Sequence, residues 1–157
     1  MGMFSFLKDA GQKLFGGKHE EQMAQDPNAA NQAASQAILD YITSMGLSAN
    51  NLSVAFDGST AIATVSGDAA SQEDKEKILL CAGNVQGVAS VNDNMTCPAA
   101  EEPQFYMVQS GDTLSKISKE VYGDANKYNV IFEANRPMLG HPDKIYPGQN
   151  LRIPKLA

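Results

Sequence analysis

The chain has 157 residues, with 12 basic against 18 acidic side chains and a net charge of −6. That length suits one domain or two small ones, and the acidic balance argues against an electrostatic nucleic-acid binder or a polybasic membrane-surface protein. Hydrophobic residues make up 43% and aromatics 7%, with no Trp, so cores can form but must rest on Ala, Val, Leu and Ile.

The N-terminus reads Met1-Gly-Met-Phe-Ser-Phe-Leu-Lys-Asp9. It has no basic region ahead of an apolar one, so it does not read as a secretory signal. Phe6 stands where N-acylation wants Ser or Thr. No stretch approaches the ~20 apolar residues of a membrane span. The expectation is a cytoplasmic chain. Cys81 and Cys97 form neither a CxxC pair nor a disulfide framework, and in that compartment read as reduced thiols.

Phe4, Leu7, Gly11 and Leu14 fall at helical spacing, which predicts an N-terminal amphipathic helix within residues 1–23, stopped by Gly16-Gly17. So short a helix is marginal alone and should pack on something, with a membrane-surface helix as the alternative that its lack of net positive charge disfavours. A polar Ala/Asn/Gln-rich stretch follows. Ala34, Ile38, Tyr41, Ile42 and Met45 share one face of a predicted helix over 33–45, with Gly46 as its stop. Leu52–Phe56 alternates as a strand, Asp57-Gly58 is a hairpin turn signal, and Ala61–Val65 returns. Ser71 caps an acidic first turn of a helix running to about Ala82. Val88, Ser90 and Val91 begin a third strand. The pattern is αββαβ with a three-stranded sheet, over residues 24–97.

Residues 98–104 read as a linker of small and acidic residues. A strand over 105–108 follows. Asp112 is expected to cap a helix holding Leu114, Ile117 and Val121, which Gly123 ends. A second helix spans about 125–134. Tyr146-Pro-Gly-Gln149 has the residues of a type II turn and delivers the closing strand Leu151–Ile153. This is βααβ over 105–157. The fold class is therefore α+β: two small domains after an N-terminal amphipathic helix.

The C-terminal part resembles a LysM module. The resemblance rests on Tyr106-Met-Val-Gln-Ser-Gly-Asp-Thr-Leu-Ser115, Ile131-Phe-Glu-Ala-Asn135, Ile145-Tyr-Pro-Gly-Gln149 and Leu151-Arg-Ile-Pro154. The middle part is similar to a BON domain, through Val65-Ser-Gly67, Lys77-Ile-Leu-Leu80 and Gly83-Asn-Val-Gln-Gly-Val-Ala-Ser-Val91. The order of a short N-terminal helix of the type Met-Gly-x-Phe-x-Phe, then BON, then LysM, without a signal peptide, resembles the cytoplasmic bacterial potassium-binding proteins.

The last resemblance implies a sensor or buffer that binds K⁺ through main-chain carbonyls and changes conformation, as a monomer with BON–LysM contact. It implies carbonyl ligands at Leu7, Ala10, Gly83, Val85, Val88 and Val91. The chemistry is compatible, because a large, weakly hydrated cation is well held by neutral carbonyl oxygens, and the last carbonyls of a helix lie unpaired at its negative end. Without the resemblance, Val85, Val88 and Val91 read simply as core and strand residues.

Two other readings stand beside it. LysM modules elsewhere bind N-acetylglucosamine-containing glycans such as peptidoglycan, which here implies a groove of Gly111, Asp112, Thr113, Ile145, Tyr146 and Pro147. A BON-type scaffold is the third reading. An enzyme is not expected: His19 and His141 are isolated from any nucleophile motif, no phosphate-binding glycine loop appears, and no calcium loop of spaced carboxylates appears.

Overall fold

The computed structural model describes residues 3–6, 11, 14, 26–98 and 104–154. Residues 7–10, most of the segment 12–25 and the greater part of the linker lie outside them, and with them most of the predicted N-terminal helix.

Part of that helix is corrected. Met3–Ser5 forms a strand, β1, and not a helical turn. It pairs antiparallel with a later strand, β4 (Ser90–Thr96), with Phe4 opposite Val91. The sequence Phe4-Ser5-Phe6 also reads with period two, and an open sheet edge rewards pairing over a lone helical turn.

Helix α1 spans Pro27–Ser44, starting earlier than the apolar periodicity indicates. Asp26 caps it, its Oδ1 accepting the Ala29 N–H at 3.1 Å, and Pro27 takes the first helical turn, where no N–H is needed. Ala30, Ala34, Ile38 and Ile42 are its buried face. Strands β2 (Asn50–Asp57) and β3 (Ile62–Asp68) form the expected hairpin, Asp57 opposite Ile62. Asp57 Oδ1 accepts the Ser59 N–H and hydroxyl at 2.9 and 2.7 Å, which holds the turn. Polar positions of α1 also tie down the edge strand: Ser35 Oγ accepts the Phe56 N–H at 2.8 Å and Asn31 Oδ1 the Gly58 N–H at 2.9 Å.

Helix α2 spans Gln72–Gly83, with Ser71 Oγ accepting the Asp74 N–H at 3.1 Å. It carries the chain from β3 to β4, which pair in parallel. Sheet order is β1-β4-β3-β2, four strands and not the expected three. Ile78, Leu79, Leu80, Cys81 and Ala82 are consecutive and all buried. A helix buried all round lies between two layers: the sheet covers one side of α2 and the C-terminal domain the other.

That domain pairs β5 (Phe105–Met107) with β6 (Asn150–Arg152). Between them lie α3 (Leu114–Tyr122), a 3₁₀ turn (Ala125–Lys127) and α4 (Tyr128–Ala134). Thr113, and not Asp112, caps α3, its hydroxyl accepting the Lys116 N–H at 3.1 Å. Asp112 instead accepts the Gln109 N–H at 2.8 Å and closes the preceding turn. Gly123 ends α3 with φ +75°. At the predicted type II turn the Gln149 N–H donates to the Tyr146 carbonyl at 3.1 Å, with Gly148 at φ +89°. Val108, Leu114, Ile117, Ile131, Leu139, Leu151 and Ile153 make the domain's own core.

Both cysteines are free thiols. Burial pushes Cys81 up from 9.0 to about 12, and burial followed by the nearness of Cys81 pushes Tyr41 up from 10.0 to about 12. A raised folded pKa stabilises the fold below the unfolded value and loses that contribution as pH climbs to the folded one. Melting temperature followed from pH 7 to 11 should therefore begin to fall above about pH 9. Cys81→Ala should start lower, for its lost packing, and fall less steeply.

Candidate functional site

The glycine-bounded loop after α2 is where backbone from separate parts of the chain converges. Gly83 is the last residue of α2 and Asn84 its C-cap, the Asn84 N–H donating to the Leu80 carbonyl at 2.9 Å. The carbonyls at this end carry the negative pole of the helix. Gly83 closes α2, Val85 and Val88 lie in the loop that follows, and Val91 is at the start of β4.

The side chains of Val85, Val88 and Val91 are fully buried in the main core. Their main-chain groups are the polar atoms they have to offer. Val85 O accepts the Val88 N–H at 3.1 Å. Phe6 N–H donates to Ala89 O at 2.9 Å, so the alternation of the antiparallel ladder makes Phe4 and Val91 the next hydrogen-bonded pair. A carbonyl has two lone pairs, so a bonded one can still ligate a cation through the other. Val91 is the most committed to the sheet, with neighbours on both sides.

The N-terminal segment is packed on this loop at two points. The Phe6 ring fills the space beside Gly83, where an added Cβ would overlap the ring carbons. Gly11, at φ +109°, lies on the Asn84–Val85 peptide, where a Cβ would come within 2.5 Å of the Asn84 oxygen. Leu7 and Ala10 fall between these two anchors in sequence but lie outside the described residues.

The buried carboxylates of this domain are neutralised in pairs. The buried Asp93 carboxylate meets Lys75 Nζ at 3.0 Å, and the buried Glu76 meets Arg152 of the C-terminal domain at 3.5 Å. Among the described residues no three His, Cys, Asp or Glu side chains converge as a metal-binding group. A cation at this loop would be held by neutral oxygens, which is the donor set a weakly hydrated monovalent ion prefers.

The residues expected for a glycan groove are distributed differently. Gly111, Thr113 and Pro147 are exposed, while Asp112 is engaged by Gln109 and by the Tyr106 hydroxyl at 3.0 Å. Ile145 packs on the C-terminal core. Tyr146 faces the other domain: burial, then the nearness of Tyr41 and Cys81, pushes its hydroxyl up. Of the three residues expected from the 145–147 loop, only Tyr146 is near the other domain.

Two asparagines at the seam carry no signal in the sequence. Asn84 and Asn150 are both buried and bonded across it, Asn84 Nδ2 donating to Asn150 O at 2.8 Å and Asn150 N–H to Asn84 Oδ1 at 2.9 Å. Asn84 lies inside the Gly83–Gly87 stretch already singled out, but nothing in a lone sequence tells a buried bridging amide from a solvated one.

The description "BON domain" matches residues 27–99 and "LysM domain" residues 106–154. The chain is 50% identical over 162 aligned positions to the potassium binding protein Kbp of Escherichia coli O6:H1 (strain CFT073), covering 99% of each. It is 49% identical over 49 residues, 31% of this chain and 19% of the relative, to an uncharacterized protein of Deinococcus radiodurans. It is 33% identical over 67 residues, 37% of this chain and 31% of the relative, to the uncharacterized protein YqbP of Bacillus subtilis (strain 168).

Close packing of Phe6 on Gly83 leaves no room for a methyl group. Gly83→Ala should cost about 1–3 kcal/mol by overpacking, or roughly 3–10 °C in melting temperature for a chain of this size. Adding Phe6→Ala to that variant should cost less than Phe6→Ala costs the parent, because the two changes share one space. Equal costs in both backgrounds, measured by thermal unfolding, would mean the ring and the glycine do not touch.

Proposed function

The chain belongs to the family of the potassium binding protein Kbp, and from that premise we propose that it binds K⁺ through main-chain carbonyls at the loop after α2 and changes conformation as a cytoplasmic potassium sensor or buffer. The ligands are the carbonyls of Gly83, Val85, Val88 and Val91, with Leu7 and Ala10 from the N-terminal segment. One observation carries the assignment: Phe6 and Gly11, the described residues on either side of 7–10, both rest on the Gly83–Val85 backbone. A ligand set shared by the two segments needs that approach.

The chemistry fits the ion. The end of α2 supplies a negative pole without a formal charge. Among the described residues, the two buried carboxylates of the BON domain, Asp93 and Glu76, already have cationic partners, Lys75 and Arg152, which leaves neither free to ligate a divalent ion. Neutral carbonyls replace a weak hydration shell at lower cost than a strong one, which favours K⁺ over smaller or more highly charged ions. Bound to the folded chain alone, the ion would stabilise it by mass action. No described helix is long and apolar enough to cross a membrane. We place the protein in the cytoplasm, acting as a monomer and without catalysis.

Glycan binding by the C-terminal domain is the weaker reading, since Tyr146 is turned toward Tyr41 and Cys81 across the seam.

Amide spectra recorded while KCl replaces NaCl at constant ionic strength test the proposal. Saturating shifts are expected at 4–11 and 83–91. Shifts that follow ionic strength alone, or none, would remove the potassium reading, and N-acetylglucosamine oligomers would then be the next ligand to titrate.

A further inference from the structure

Strand β6 has two edges, and its outer one is closed by two asparagine side chains. The inner edge faces β5: Val108 N–H donates to Gln149 O and Ile153 N–H to Gln104 O, both at 2.8 Å. By the alternation of an antiparallel pair, Asn150 and Arg152 turn their own N–H and C=O groups outward. Asn135, from the same domain, brackets Arg152. It accepts the Arg152 N–H at 2.8 Å and donates to the Arg152 carbonyl at 3.0 Å. Asn84, from the other domain, brackets Asn150 in the same way. A primary amide presents one acceptor and one donor at the spacing of a peptide group, so each asparagine stands in for one residue of a missing neighbour strand.

The two positions differ in what happens if the domains part. Asn135 travels with β6. Asn84 does not, and undocking would take its amide from the Asn150 peptide. Asn84 also lies between two of the proposed ligand carbonyls, and its own carbonyl carries Gly11. The Asn150 side chain extends the link, its Nδ2 donating to the Ser5 carbonyl at 2.9 Å. Ser5 directly precedes Phe6, the ring packed on Gly83. Any change in the peptide planes at 83–85 or in the seat of the N-terminal segment therefore acts on one pair of amides at the seam.

We propose that Asn84 is the residue that couples occupancy of the carbonyl loop to docking of the C-terminal domain, its side chain completing β6 only when the loop has its ion-bound geometry. This rests on the potassium reading and adds to it a place where binding is converted into domain arrangement. Coupling of this kind is reciprocal: if the ion favours docking, docking tightens the ion. An ordinary coupling is worth about a 5- to 150-fold change in affinity.

The test follows two sets of amides in one KCl titration at constant ionic strength, in the full chain. The loop amides at 83–91 report occupancy, and the Asn150–Arg152 amides with the Asn84 side-chain NH₂ report the dock. In the parent protein both sets should move with one midpoint. Asn84→Ser, whose hydroxyl is too short to bridge both peptide atoms, should still show K⁺-dependent shifts at 83–91, with a midpoint raised about fivefold or more, while 150–152 no longer respond. If the parent's loop saturates and 150–152 stay silent, the inference is overturned and the potassium reading stands, and that outcome needs no variant to fold. An Asn84→Ser midpoint equal to the parent's, with 150–152 still responding, overturns it as well. If the parent's loop shows no K⁺-specific shift, the potassium reading fails, and this inference with it.

Discussion

The structure depends on a contact that only a missing side chain allows: the Phe6 ring lies where a Cβ on Gly83 would be. With Gly11 on the Asn84–Val85 peptide, it presses the N-terminal segment onto the end of α2. That seat fixes where β1 can run. It then pairs with β4, which would otherwise be an exposed edge, and turns it into an internal strand. The same seat brings backbone to backbone at the helix's negative end. The fourth strand and the meeting of the N-terminal segment with the loop after α2 go with one close approach.

The second dependence is between the domains. Each is small, and a small domain buries too little of its own surface to be generously stable. Here the C-terminal half of α2, Ile78–Ala82, is shared as an interior element, with Glu76 reaching Arg152 and the C-cap Asn84 reaching Asn150. A pair whose polar atoms are buried only while the domains are docked loses both water and partner if docking is imperfect. Such a seam favours a well-defined docked state over a range of loose ones, which is the property a two-state readout requires.

Much of this is legible in the sequence. The Asp57-Gly58 hairpin, the Ser71 cap, the Gly123 stop and the Tyr146–Gln149 turn each follow from local chemistry, and each stands where the residues put it. The start of α1 is hidden because Asp26-Pro27 sits at the head of a polar stretch that reads as a connection. Asp112 and Thr113 are both competent caps, and the turn at Gln109 takes the first and leaves the second. The strand at Met3–Ser5 is hidden because its partner lies far along the chain, and three residues carry too little periodicity to outweigh a helical spacing. The candidate ligands are the extreme case. Main-chain carbonyls belong to every residue, so Val85, Val88 and Val91 show in sequence only as core. It takes a full-length family resemblance to point to them, and geometry to show what packs against them.

The most direct measurement of the central claim is long-wavelength anomalous diffraction from crystals grown in KCl, which locates potassium itself and not a stand-in. The expected result is one strong peak at the end of α2, enclosed by the carbonyl oxygens of Gly83, Val85, Val88 and Val91 together with oxygens from residues 7–10. A peak held elsewhere by side-chain carboxylates, or no peak in a structure that keeps Phe6 on Gly83, would contradict it.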